Sequence, residues 1–138
     1  MSTAEYNRAR KAGELSYREY LNNNRYPYVR ILDEMLNHIN IVSENSLGLQ
    51  EIPVDMIAGT FTAGRRTAFA PNFMPLLGES TEFAGKWSNL IDSLKEDGLK
   101  EPIKAYEYMN RFYVMEGNKR VSVMKFLGPS PFPERSSA

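Results

Sequence analysis

The sequence predicts an α+β fold: a small mixed sheet with packed helices, preceded by an N-terminal helical extension. Three observations carry that expectation. Phe83, Trp87, Leu90, Ile91 and Leu94 recur at the spacing of one helical face. Residues 103–115 read as two strands around a tight Met109-Asn110 turn. At Glu116-Gly117-Asn118-Lys119-Arg120 the pattern switches from strand to helix, with Val121, Met124 and Leu127 following at helical spacing.

In chain order, Ser2 with Glu5 three residues on is a capping-box pattern, and the helix it opens runs to about Leu21, ahead of Asn22-Asn23-Asn24. Tyr6, Ala9, Gly13, Tyr17, Tyr20 and Leu21 lie near one stripe. Tyrosines stand there where aliphatics are expected, which suits docking on a domain or a partner. Pro27 opens a second expected helix, with Val29, Leu32, Leu36 and Ile39 as its buried stripe. His38, on the edge of that stripe and without a histidine or cysteine nearby, reads as an ordinary helix-edge residue.

Residues 40–48 read as a linker, after which Leu49-Gln50-Glu51-Ile52-Pro53-Val54 alternates like a strand. The stretch from Gly59 to Pro75 has neither period and reads as a long working loop whose chemical content is Arg65 and Arg66. Within it Phe69, Phe73, Met74, Pro75 and Leu76 read as core anchors rather than as a surface for stacking nucleobases. The P-loop likeness of Gly59–Thr67 fails, because arginines stand at the lysine and hydroxyl positions. Thr81 caps the helix of the Phe83 stripe, where Trp87 is a core residue, and Asp97-Gly98 ends it. The expected divisions are an extension over 1–46, a compact domain over 47–128 and a Pro- and Ser-rich tail over 129–138.

Composition narrows the function. The 138 residues, 42% hydrophobic, suit a single core. Seventeen basic and seventeen acidic residues leave no whole-molecule field to draw the chain onto nucleic acid or an anionic membrane. Cysteine is absent and histidine occurs once, which removes thiol nucleophiles, disulfides and multi-histidine metal sites. No apolar run of bilayer length and no export-signal layout appear, so the expected compartment is the cytoplasm.

The candidate site is the strand-to-helix junction. A helix that opens on a glycine turn exposes unpaired backbone N–H groups, which favour an anion. Gly117 is expected to let that anion approach closely. Arg120 offers a donor fork for two phosphate oxygens, Lys119 a mobile charge, and Asn118 a group that donates or accepts. Two cations in a first helical turn oppose the helix dipole, and a bound anion relieves that conflict. Glu116 is the candidate catalytic carboxylate, able to hold the arginine or a magnesium ion.

Three segments give the chain a family likeness. Glu51–Ile57, Leu90–Ile103 and Tyr113–Val123 resemble, in order and spacing, the opening strand, the helix ending in glycine and Pro-Ile, and the G-x-x-R turn of the ParB N-terminal domain and sulfiredoxin superfamily. That resemblance, covering about residues 49–128, implies a ParB-like nuclease or sulfiredoxin-like fold in which Gly117, Lys119 and Arg120 contact nucleotide phosphate. It places Arg65 and Arg66 near a second phosphate-contacting segment. Asn118 stands where sulfiredoxin has its cysteine, so sulfinic acid reduction is not implied, and it also replaces the acidic residue of partition proteins. Ten residues after Gly128 are too few for the helix-turn-helix that reads DNA in those proteins.

The leading expectation is therefore a nucleotide- or phosphate-binding domain, with magnesium-dependent hydrolysis or phosphoryl transfer as the chemistry such a site admits. The alternatives are a DNA-associated accessory module and a partner-docking module with a vestigial pocket. Residues 100–125 hold six lysines or arginines against three glutamates, a local excess of three that favours the former. The N-terminal helix offers the latter an interface, self-association included.

Overall fold

A computed structural model of the chain describes residues 3–32, 48, 50–61, 63–98 and 102–128. Among these residues are three α-helices and one four-stranded sheet: α1 (Thr3–Asn22), β1 (Arg30–Ile31), β2 (Ile57–Thr60), α2 (Glu82–Asp97), β3 (Lys104–Tyr108), β4 (Arg111–Glu116) and α3 (Asn118–Leu127). Two 3-10 segments, Val54–Met56 and Ala63–Ala68, flank β2. Strand order is β1-β2-β4-β3, with β1, β2 and β4 parallel and β3 antiparallel to β4. The α+β class is as the sequence predicts.

One core lies between the sheet and the helices, centred on fully buried Trp87. Its ring meets Tyr6 of α1 and Phe126 of α3 edge-on at centroid distances of 5.4 and 5.5 Å. The indole N–H donates to the Ser122 hydroxyl at 2.9 Å, so neither buried polar group is left unpaired. The helix expected as an extension contributes Tyr6 and Ala9 to this same core, and Tyr6 donates its hydroxyl to the Leu77 carbonyl at 2.7 Å. Lys95 of α2 and Glu5 of α1 form an ion pair across the two helices.

Local signals hold closely in the second half of the chain. Thr81 accepts the Ala84 N–H at 3.1 Å, and Gly98 ends α2 with φ 75°. Met109 and Asn110, at φ 54° and 65°, form the turn between β3 and β4. Phe69, Phe73, Met74 and Pro75 are buried core anchors.

The first half departs in two places. Residues 27–31 do not open a helix: Arg30–Ile31 is an edge strand, and the Val29 N–H donates to the Phe69 carbonyl at 3.1 Å. Val29 and Ile31 point inward while Arg30 is exposed, a period-2 pattern nested in the three- and four-residue spacing that suggested helix. Leu32 is helical and buried, and from residue 33 to residue 47 the rest of that expected helix, His38 and the linker lie outside the described residues. The strand expected over 49–54 is also displaced. Pro53, which has no N–H to give a sheet, starts a turn closed by the Met56 N–H on its carbonyl, and the strand runs over Ile57–Thr60 instead. Gly59 suits that strand because a Cβ there would strike the Arg30 carbonyl of β1.

The stretch read as a loop from Gly59 to Pro75 accordingly begins inside β2. It continues through the 3-10 turn that holds Arg65 and Arg66, then closes on a Phe69–Pro75 bridge.

Candidate functional site

Parallel pairing brings two chain exits to one end of the sheet. Thr60, the last residue of β2, stands beside Val114 of β4, so the segment leading to Arg65 and Arg66 and the segment Gly117–Arg120 leave from the same edge. Carboxyl ends of parallel strands are where open sheets form ligand crevices.

Hydrogen bonds fix this end. The Val114 carbonyl accepts from the Phe61 N–H at 2.7 Å and from the Thr60 hydroxyl at 3.1 Å. The Thr60 oxygen in turn accepts from Asn118 Nδ2 at 3.1 Å. The other end of that amide, Asn118 Oδ1, is buried and has no hydrogen-bond partner among the described residues. An unpaired buried acceptor is costly unless something donates to it. Because the one proton of the Thr60 hydroxyl goes to Val114, the amide keeps its NH2 toward Thr60 and presents Oδ1 as an acceptor.

Gly117 caps α3 in the left-handed region, at φ 112° and ψ 28°, with no side-chain cap. The Val121 N–H on the Gly117 carbonyl, 3.0 Å, begins the helical ladder. A Cβ on Gly117 would lie 2.7 Å from Ile103 Cγ2 and 3.4 Å from Arg120 Cζ. That side of the turn is therefore packed rather than open, and the glycine serves the bend and the Ile103 contact. Only the amide side of the helix end remains for an anion.

The charged side chains have protein partners. Arg120 Nη1 donates to the Pro102 carbonyl at 3.1 Å, and Lys119 Nζ sits 5.4 Å from the Phe83 ring centre. Glu116 lies 3.6 Å from Lys104 with 66% of its side chain exposed, a pairing worth little in water. Glu116 is the one carboxylate in the motif, and among the described residues no three His, Cys, Asp or Glu side chains gather as a metal site. A magnesium ion there would draw most of its six ligands from phosphate and water.

Two surface depressions have no residue of this junction in their lining. One, of about 840 Å³, runs along the outer face of α1 past Leu15 and Glu19 to Asn72. The other, of about 660 Å³, is lined by Tyr20, Arg25, Tyr26, Tyr28 and Arg30 beside Ala58 of β2. Sequence reasoning passed over both, and over Thr60 and Ile103 at the junction, because each is assembled by contacts between distant segments.

Burial also moves two titrations. It pushes the Tyr6 hydroxyl up to about 12, partly offset by Arg10. It lowers Lys125 from the usual lysine range, opposed by Asp55, while Lys125 Nζ donates to the Val54 carbonyl at 3.0 Å. Both groups tie elements together at a distance from the junction. Among the described residues no helix is long and apolar enough to cross a membrane. No protein-family model, curated protein or solved structure matches the chain.

Proposed function

We propose that the chain binds a phosphate-bearing ligand, a nucleotide in the first instance, where β4 turns into α3. The observation that carries this reading is a helix that opens on an uncapped left-handed glycine with two cations and no acid in its first turn. Backbone amides there favour negative charge, and Lys119 and Arg120 are misplaced for the dipole of an isolated helix. Lys119 beside the Phe83 ring and Arg120 on the Pro102 carbonyl stand at this same helix end, where a phosphate would pair with both. Asn118 Oδ1, buried and without a partner among the described residues, offers an acceptor to a hydroxyl or N–H group of the ligand. The segment that holds Arg65 and Arg66 leaves the same end of the sheet. The three-segment likeness to the ParB and sulfiredoxin superfamily agrees with this placement.

Isothermal titration of the full chain with ATP, GTP, CTP and UTP, with and without magnesium, tests the proposal. Arg120→Ala should weaken the binding nucleotide at least tenfold while lowering the melting temperature by only a few degrees, since it removes no core volume. Affinity unchanged in both Arg120→Ala and Lys119→Ala would rule the junction out as the site.

A further inference from the structure

The chain has eight tyrosines, and four of them, Tyr17, Tyr20, Tyr26 and Tyr28, fall between residues 17 and 28. They converge in space. Tyr28 meets Tyr17 and Tyr26 at centroid distances of 5.5 and 5.7 Å, and Arg25 Cζ lies 4.6 Å over the Tyr20 ring. Unlike the core aromatics they are not sealed: Tyr26 is 45% exposed, against 1% for Tyr6 and none for Trp87. The geometry is fixed by backbone bonds at the end of α1. Arg25 N–H returns to the Tyr20 carbonyl at 2.8 Å, and Asn24 takes φ 58° to make the turn.

Arg25 and Arg30 line the depression that these rings form, and among the described residues no acidic side chain does. A chain of zero net charge thus carries two local positive charges beside exposed aromatic faces. Each class of ligand meets that pair differently. An organic cation would use the rings but be repelled by the arginines, and an acidic peptide would use the arginines but leave the rings idle. A nucleoside phosphate uses both, its base on a tyrosine face and its phosphate on the guanidinium groups. A volume of about 660 Å³ accommodates one such unit.

We propose that this tyrosine and arginine depression is a second binding site, separate from the α3 junction, for a nucleoside phosphate, either free or within a single strand. Tyr26 and Tyr28 supply the stacking faces, and Arg25 and Arg30 hold the phosphate.

Fluorescence anisotropy of the full chain with fluorescein-labelled oligothymidylate, competed by free UMP, reads both sources. The oligonucleotide should bind, and Tyr26→Ala or the pair Arg25→Gln/Arg30→Gln should weaken it at least fivefold. The arginine pair should also flatten the slope of log affinity against log salt by about 1.4, two single-strand phosphates at about 0.7 each. Repeating the series in a Lys119→Ala/Arg120→Ala chain removes the junction's share of the signal, and the losses caused by the Tyr26 and arginine variants should persist there. Efficient competition by UMP assigns the site to free nucleotide, and weak competition assigns it to a strand. Tyr26→Leu keeps apolar volume while removing the ring, so it serves if Tyr26→Ala melts early. Absence of binding to either probe, indifference to the Tyr26 and arginine variants, or equal displacement by a polyglutamate peptide would overturn the proposal.

Discussion

Gly117 has two reasons to be glycine. Its φ of 112° disfavours any Cβ, and the place where a Cβ would go is occupied by the Ile103 side chain. Gly117→Ala should therefore cost about 2 kcal/mol or more through strain and overpacking together, read as a lower midpoint in urea unfolding. The sequence announces the first reason, since a glycine between strand and helix patterns is a local signal. It does not announce the second, because Ile103 lies fourteen residues earlier and reaches Gly117 only once β3 and β4 have paired. Asn118 and Thr60 are alike in this respect: each is an ordinary polar residue until parallel pairing of β2 and β4 places them 3.1 Å apart.

Among the elements, those held by near neighbours were readable and those held by distant ones were not. The cap at Thr81, the apolar stripe of α2 and the turn at Met109-Asn110 each depend on residues a few positions apart. β1 and β2 depend on one another across the chain, and the short Val29-Arg30-Ile31 alternation was outweighed by a longer helical pattern. The hairpin turn offers a test of that local logic. Both of its central residues have positive φ, the two-residue form that favours Asn-Gly, yet the first is methionine. Met109→Asn combined with Asn110→Gly should stabilise the fold by about 1 kcal/mol, seen as a rise of several degrees in the thermal midpoint.

Taken whole, the molecule is one core to which α1 belongs as fully as the sheet does, and Tyr6 makes that testable. Its hydroxyl titrates near 12 in the folded chain against an ordinary value of 10.0. The folded state therefore holds a proton between those values that the unfolded chain has lost, so this stabilisation is complete below pH 10 and disappears as pH rises toward 12. A loss of about 2 kcal/mol across that window is expected, and Tyr6→Phe should flatten the corresponding fall in melting temperature. The fold class was legible because it needs only the inventory of elements. The order of the strands was not, because it is set by pairings between residues about thirty to sixty positions apart. That separation has a kinetic side. β3 and β4 close a two-residue turn and can form early, whereas β1 is a two-residue edge strand held to the sheet by β2 alone. Amide protons at Val114 should accordingly resist deuterium exchange longest, and those at Arg30 and Ile31 should be lost first from the sheet, as pulse labelling followed by mass spectrometry would record.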